Sequence, residues 1–260
     1  MDPSESFGRR LLVSVDARSY GQSDDLRQAM IQKHLLAVLD EAAAQAMLVR
    51  SSWLKQAAGD GELSVLPGSE SEPQVVDDFV RELGASLSRH NEDLRPEAKL
   101  RLRLAIHHGV AIRGANGFSG QGVVVVSRLV DSRPLREALK ASDADLAMML
   151  SRRVFLDTVV QRHTSLRAAD FRKVRIRNKE YDEDAWMRVP GADVHHLDLP
   201  EHDELPPAAQ PSPDEPTMPA SGAGPKPAAA ATADPVHTRV DTTIHGDFIA
   251  NDVTFGNRHG

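Results

Sequence analysis

The sequence predicts an α+β domain, in which a mixed sheet is flanked by helices, followed by a tail of different composition. Apolar runs of strand length alternate with longer stretches of helical periodicity between residues 10 and 189. Two pairs of strand-like runs are separated only by short turns, which predicts hairpins and excludes a purely parallel sheet. After Pro190, proline, alanine and acidic residues become frequent while aromatic and β-branched residues become rare.

The first half of the predicted domain begins with a strand over residues 10–15, a continuous apolar run that ends at an aspartate. A helix over 24–48 follows, because apolar residues recur there three and four positions apart. Two short strands, 52–57 and 62–66, flank a glycine-containing turn and predict a hairpin. Residues 75–89 again place their apolar side chains on one side of a helix.

The middle of the chain gives one clear element and one ambiguous one. Residues 100–112 begin with alternating polar and apolar side chains, as a half-buried strand does. Residues 117–122 are rich in glycine. The apolar run over 123–130 contains four consecutive valines and is explained either by a subunit contact or by burial in the core.

The second half of the domain is predicted to repeat the alternation. A short helix is predicted over residues 134–141 and a strand over 146–150, followed by a helix over 151–160. The two last strands, 171–177 and 185–189, form a hairpin around a charged turn.

The composition excludes several classes of site. The 260 residues include no cysteine, so disulfides, thiolate zinc sites and cysteine nucleophiles are excluded. The formal net charge of −7 is unlike that of a nucleic-acid binder, so we expect no nucleic-acid partner. We expect no membrane contact and a cytoplasmic location, because no apolar run reaches the roughly 18 residues of a membrane helix and the first residues lack a signal-peptide pattern.

The tail is predicted to contain two segments. Residues 199–235 form a disordered linker rich in proline, alanine and acidic side chains, which cannot bury enough apolar surface to fold. Residues 238–257 are β-prone, and we expect them to be an interaction motif that pairs with an unknown protein partner. The alternative is a frayed terminus whose β-propensity has no function.

Two aspartates are the strongest candidates for chemistry. Asp16 ends the first predicted strand, and Asp60 lies in the turn Gly59-Asp60-Gly61 of the first hairpin. If the two strands are neighbours, the carboxylates converge, and two carboxylates with phosphate oxygens form a site for Mg²⁺ or Mn²⁺. The alternative is that both aspartates are ordinary turn residues. A metal site at His107 and His108 is not expected, because consecutive strand residues face opposite sides.

Four segments in chain order carry a family resemblance: VSVDARSYGQS, Gly59-Asp60, RLRLAIHHGVAI and GFSGQGVVVVSRLVD. Together they resemble the catalytic domain of class III nucleotidyl (adenylate/guanylate) cyclases, as a divergent bacterial member, over residues 8–190. The resemblance implies a cyclase-like mixed sheet, a nucleoside triphosphate as ligand and a homodimer. It also implies that Asp16 and Asp60 bind the metal and face Arg128 of the other subunit.

The resemblance assigns roles that this sequence meets only in part. Arg128 stands at the position of the catalytic arginine that stabilises charge on the transferring phosphate. Gln56 and Gly117 stand where the family has the lysine and the aspartate that read the base, and Val124 replaces the asparagine that positions the ribose. Valine has no hydrogen-bonding group in its side chain.

Three functions remain open from the sequence. The first is a regulatory signalling module that binds a nucleoside triphosphate and a divalent metal with weak or no cyclase activity. The second is an active cyclase with altered base specificity that releases pyrophosphate. The third is a dimeric scaffold that recruits a partner through residues 238–257.

Overall fold

The computed structural model describes residues 8–18, 20–178 and 181–199. The predicted linker beyond Leu199 and the predicted motif over 238–257 lie outside these ranges. The strands are β1 (Gly8–Ala17), β2 (Leu54–Ala58), β3 (Gly61–Val65), β4 (Leu102–Gly114), β5 (Gly117–Ser119), β6 (Leu146–Ser151), β7 (Arg172–Asn178) and β8 (Tyr181–Arg188). The helices are α1 (Asp25–Gln45), α2 (Glu72–Gln74), α3 (Val80–Asn91), α4 (Gln121–Val130), α5 (Arg133–Ala141) and α6 (Arg152–Val154).

The strands form one mixed sheet in the order β2-β3-β1-β4-β6-β8-β7, with β5 paired to β4. Neighbours are antiparallel except β4 and β6, which run parallel. The α+β class, the mixed sheet and both predicted hairpins are therefore confirmed. No helix within the described ranges has both the length and the apolar character needed to cross a membrane.

Helix boundaries follow local signals. Asp24 caps α1, because its side chain accepts a hydrogen bond from the backbone N–H of Arg27. Ser71 caps α2 in the same way through the N–H of Gln74. A π-helical turn (Val75–Phe79) joins α2 to α3, and a second one (Phe155–Val160) continues α6.

The apolar run over 123–130, which the sequence left without an element, forms helix α4. Its buried side chains, Val126, Leu129 and Val130, lie on one side of the helix, while Val124 faces outward with 43% of its surface exposed. The run is therefore part of the core on one side of the helix only. Burial against the sheet outweighs the β-propensity of valine, which is a weak local preference.

The helices divide into two layers. The α1/α3 face of the sheet packs a large apolar cluster around Phe79, which is fully buried and meets Trp53 edge-on at 5.6 Å between ring centroids. One buried ion pair, Arg50 with Glu62 at 3.0 Å, adjoins this layer. The α4/α5 face packs a second cluster, which includes Leu12, Val126 and Leu135.

Candidate functional site

The structure places the turn of Asp60 against the end of β1. Asp16 is in register with Gly61, and the backbone N–H of Ala17 donates to the carbonyl oxygen of Asp60 over 2.9 Å. A Cβ on Gly61 would overlap the carbonyl oxygen of Val15, so only glycine permits this approach. The backbones of the two sequence-predicted metal ligands therefore meet at one end of the sheet.

A cation that sequence reasoning missed stands beside Asp16. Arg103 on β4 forms an ion pair with the Asp16 carboxylate, and its Nη1 lies 3.8 Å from Oδ1 of Asp131. Asp131 follows α4 and also receives a hydrogen bond of 2.7 Å from Arg136. Asp16, Asp60, Asp131 and Arg103 are named the carboxylate cluster below.

The charges of the carboxylate cluster are unevenly compensated. Burial raises the pKa of Asp60, and the neighbouring negative charge of Asp131 raises it further. Across the described part of the chain, Asp60 has no ion-pair partner within 4 Å, whereas Asp16 has Arg103. Burial also lowers the pKa of Arg103 to about 10, so that residue stays protonated near neutral pH. Asp60 is the carboxylate that would gain most from an added cation.

The donor set fits a hard divalent cation in part. Mg²⁺ prefers oxygen ligands and is commonly bound through one or two carboxylates together with substrate phosphates. Asp16 and Asp60 provide such a pair. No group of three histidine, aspartate or glutamate side chains within the described ranges is arranged to hold a metal ion. The cluster thus fits a metal that arrives with phosphate oxygens better than a metal enclosed by the protein alone.

The two positions implied in base recognition contact each other. The Oε1 atom of Gln56 on β2 accepts the backbone N–H of Phe118 over 2.9 Å. A Cβ at Gly117, whose φ is +99°, would overlap the Gln56 amide. Gln56 pairs with Leu63 and shares the α4/α5 face with it, whereas its neighbour Lys55 points to the other face because strand side chains alternate. Lys55 cannot substitute for Gln56 on this face.

Helix α4 presents Val124 and Arg128 one turn apart. Neither belongs to the buried side of the helix, and Arg128 has no ion-pair partner within 4 Å among the described residues. No hydrogen bond joins Arg128 to Asp16 or Asp60 within this chain. The structure therefore brings the two aspartates together, and Gln56 with Gly117, but leaves Arg128 and Val124 on an outward helix face.

A contact between glycines fixes α4 on the sheet. A Cβ on Gly122 would stand 2.7 Å from the carbonyl oxygen of Val110 and 2.9 Å from the carbonyl carbon of Gly109. Such distances are shorter than van der Waals contact, so the helix approaches β4 closely only because both residues are glycine. The helix begins after Gly120, whose φ of +116° also favours glycine.

The two histidines of β4 point to opposite faces, as predicted. His107 lies on the α4/α5 face, where burial and nearby cationic groups lower its pKa to about 4 and its Nδ1 has no hydrogen-bond partner among the described residues. His108 lies on the other face, with its Nε2 3.4 Å from the carboxylate of Glu72. The pair cannot share a metal.

Arg103 and Asp131 had only weak signals in the sequence. Arg103 interrupts an apolar strand, RLRLAI, where an exposed arginine is equally consistent with the alternation. Asp131 directly follows the run that contains Arg128. Only the sheet register, which pairs Asp16 with Arg103, shows that the three groups meet.

No protein-family model matches the chain, and no curated protein matches it. Among solved structures, an adenylate/guanylate cyclase/hydrolase from Silicibacter pomeroyi is 19% identical, with a TM-score of 0.49 over 71% of this chain and 99% of that one. The adenylyl cyclase CyaB from P. aeruginosa is 15% identical, with a TM-score of 0.47 over 72% and 97% of the two chains.

A third solved structure is the guanylate cyclase domain of RhGC from Catenaria anguillulae in complex with GTP. It is 12% identical to this chain, with a TM-score of 0.45, and the match covers 69% of this chain and 94% of that one.

Proposed function

We propose that this chain is a regulatory nucleotide-binding protein that takes a nucleoside triphosphate together with Mg²⁺ or Mn²⁺ at the carboxylate cluster, with weak or no cyclase activity. The observation that carries the proposal is the meeting of Asp16 and Asp60 at one end of the sheet, with a carboxylate left uncompensated. A bound divalent cation and its phosphate oxygens would relieve that charge.

The residues of this chain would divide the work of binding. Asp16 and Asp60 would hold the metal, which when bound neutralises phosphate charge and stabilises a leaving pyrophosphate. Arg128 supplies a positive charge from α4 that is free to meet phosphate oxygens. Gln56 keeps its amide N–H groups for a ligand, since its oxygen is already bound to the N–H of Phe118.

The residues at the ribose and base positions predict slow turnover. Val124 cannot hydrogen-bond a ribose, and Gly117 offers no side chain to a base. Loss of one stabilising contact to a transition state commonly lowers the rate by about 10²–10³. Misplacement of an attacking hydroxyl adds to that loss. Binding without efficient catalysis follows from a retained metal site and an altered recognition site.

Arg128 and Val124 face outward, which supports a homodimer in which α4 of one chain approaches the carboxylate cluster of the other. Val124 is an exposed apolar side chain beside Arg128, and exposed apolar groups at a charged site are consistent with a subunit contact. Sedimentation with nucleotide and Mn²⁺ should show a dimer. A monomer at high protein concentration would contradict this arrangement.

The binding proposal is tested by thermal unfolding of the full chain. A ligand that binds only the folded state raises the melting temperature by mass action. Each nucleoside triphosphate with Mn²⁺ should be compared with nucleotide alone. Asp60→Asn should abolish the metal-dependent rise, whereas Asp157→Asn, which removes an exposed aspartate paired with Arg153, should preserve it. An unchanged rise in Asp60→Asn would exclude the carboxylate cluster as the metal site.

Turnover is tested separately by incubating the chain with each of the four nucleoside triphosphates and Mg²⁺ or Mn²⁺, followed by mass analysis. Little cyclic product is expected. Abundant product that requires Asp60 and Arg128 would establish the alternative function, an active cyclase with altered base specificity.

A role in recruitment is also proposed for residues 238–257, because their β-prone sequence follows a segment with little capacity to fold. Deletion of residues 236–260 should remove co-purifying partners without lowering the melting temperature. A lower melting temperature would instead make the segment part of the folded domain.

A further inference from the structure

A cavity lies on the α1/α3 face, opposite the face that carries Asp16 and Arg103. Its volume is about 420 Å³, and it opens between α3, the start of β6 and the end of β8. The polar part of its wall is formed by Asp77, Arg81, Ser88, Asp143, Asp145, Ser165 and Arg188, and the remainder is largely apolar. None of the residues proposed to bind the nucleotide lines this cavity.

Arg188 is a cation without a partner in this cavity. It ends β8 and is half-buried, and burial lowers the pKa of its guanidinium. Asp77 and Asp170 are the negative charges that influence it, yet within the described ranges Arg188 makes no hydrogen bond and no ion pair within 4 Å. Asp77 is already engaged, because its Oδ2 accepts the N–H of Ser165 over 2.6 Å.

Asp145 is an anion in the same wall with an unmet acceptor. Its Oδ1 is buried and has no hydrogen-bond partner among the described residues. Its backbone is fixed, because its carbonyl oxygen accepts the N–H of Leu102 over 2.8 Å. A buried polar atom without a partner is costly, and in natural proteins it calls for an explanation such as a bound ligand.

We propose that this cavity binds a small zwitterion of the α-amino acid class. The carboxylate of such a ligand would meet Arg188, and its ammonium group would meet Asp145. Arg101 is a cation near Asp145, but its guanidinium donates to the carbonyl oxygens of Ser142 and Ala144 and leaves Oδ1 of Asp145 without a donor among the described residues. A simple anion would face the three carboxylates of Asp77, Asp143 and Asp145, because the second arginine of the wall, Arg81, is already paired with Asp78 at 2.7 Å. A simple cation would leave Arg188 unpaired.

The remaining wall suits the side chain of such a ligand. Val80, Leu146, Leu166 and Pro190 supply apolar surface. Gly84, in the middle of α3, leaves open space, since a Cβ there would meet no atom within 4 Å. The volume lies near the lower end of the range for small-molecule sites, which matches an amino acid rather than a nucleotide.

The proposal is tested by calorimetric titration of the full chain, without nucleotide, using glycine, L-alanine and L-leucine as probes. Acetate and methylamine, which each carry only one of the two charges, serve as comparison ligands. At least one amino acid should bind, and more tightly than either comparison ligand. Absence of binding by all three amino acids, or equal binding by acetate or methylamine, would overturn the proposal.

Substitutions in the cavity wall test whether the amino acid binds in this cavity. Arg188→Gln and Asp145→Asn should each weaken amino acid binding by about tenfold or more, because each removes a charge-assisted hydrogen bond. Gly84→Leu fills the cavity from a helix position and should block binding while preserving the fold. Arg153→Gln, which removes an arginine from the exposed surface of α6, is the matched control and should bind as the wild type does. Wild-type affinity in Arg188→Gln or Gly84→Leu would also overturn the proposal.

Discussion

The two faces of the sheet are stabilised in different ways. The α1/α3 face holds large apolar side chains in contact, with Phe79, Leu83 and Leu87 fully buried. The α4/α5 face combines an apolar cluster with a glycine contact and the carboxylate cluster at its end. The α1/α3 face therefore contributes mainly apolar packing around Phe79, whereas the α4/α5 face carries the charged groups that are proposed to hold a metal. The following variants separate these two contributions.

Phe79→Ala is expected to have the largest effect. Removing a fully buried phenylalanine typically lowers the free energy of unfolding by about 3–5 kcal/mol through lost contacts and a residual cavity. Phe79 lies on the α1/α3 face, so the metal-dependent rise of melting temperature with nucleotide should persist in the surviving folded protein. Urea unfolding measures the first effect and thermal scans the second. Loss of the nucleotide effect at temperatures where the variant is folded would show that the two faces are coupled.

Two glycine substitutions in helices should have opposite signs. Gly122→Ala places a methyl group against the backbone of Val110 and Gly109, which cannot yield, so α4 must shift at a cost of about 1–3 kcal/mol. Gly84→Ala in α3 meets open space and should stabilise the domain by roughly 0.5–1 kcal/mol through helix propensity. Unfolding free energies of both variants are the measurement. Stabilisation by both would show that α4 is free to move away from β4.

Arg103→Gln should increase the affinity for metal. The substitution removes the guanidinium that compensates Asp16 and Asp131, so the remaining negative charge attracts Mn²⁺ more strongly, by on the order of tenfold or about 1.4 kcal/mol. Titration with Mn²⁺ in the absence of nucleotide measures the change. Arg101→Gln is the control, because Arg101 directly precedes β4 and donates to carbonyl oxygens near the end of α5 instead. A fall in affinity would mean that Arg103 positions Asp16 for the metal.

The smallest expected effect concerns His107. Its pKa is about 4 in the folded state and about 6.5 when unfolded, so the unfolded chain binds the additional proton first. This contribution to stability is present above pH 6.5 and is lost as the pH falls from about 6.5 towards 4. His107→Gln should therefore flatten the decline of melting temperature over that window. An unchanged slope in His107→Gln would assign the decline of the melting temperature to other groups.

The fold could be predicted from the sequence where an element has a local signal of its own, such as hydrophobic periodicity or turn residues. The apolar strand before Asp16, the glycine turn at Asp60 and the long helix α1 all have local signals, so their order predicted the mixed sheet. Helix α4 lacked such a signal, because four consecutive valines fit a strand or a buried helix equally well. Its conformation depends on contacts across the sheet, including the approach of Gly122 to Gly109.

The candidate site, too, could be predicted from the sequence only in part. The spacing of Asp16 and Gly59-Asp60-Gly61 pointed to two carboxylates on neighbouring strands, and the structure places their backbones side by side. Their use as metal ligands stays a prediction. Arg103 was not identified, because an arginine on an alternating strand normally points to solvent. Its partners come from residues 16 and 131, and such distant pairings depend on the sheet register.

The ion pair between Arg103 and Asp16 implies that metal binding is an exchange of partners. A divalent cation that binds Oδ2 of Asp16 would take the place of the guanidinium, which then keeps only its longer contact of 3.8 Å with Asp131. A nucleoside triphosphate that binds next would contact both the metal and the released arginine, so the metal and the nucleotide each increase the affinity for the other. Thermodynamic linkage requires the two improvements to be the same factor. Metal and nucleotide should therefore bind cooperatively, and the cooperativity should decrease when Arg103 is replaced.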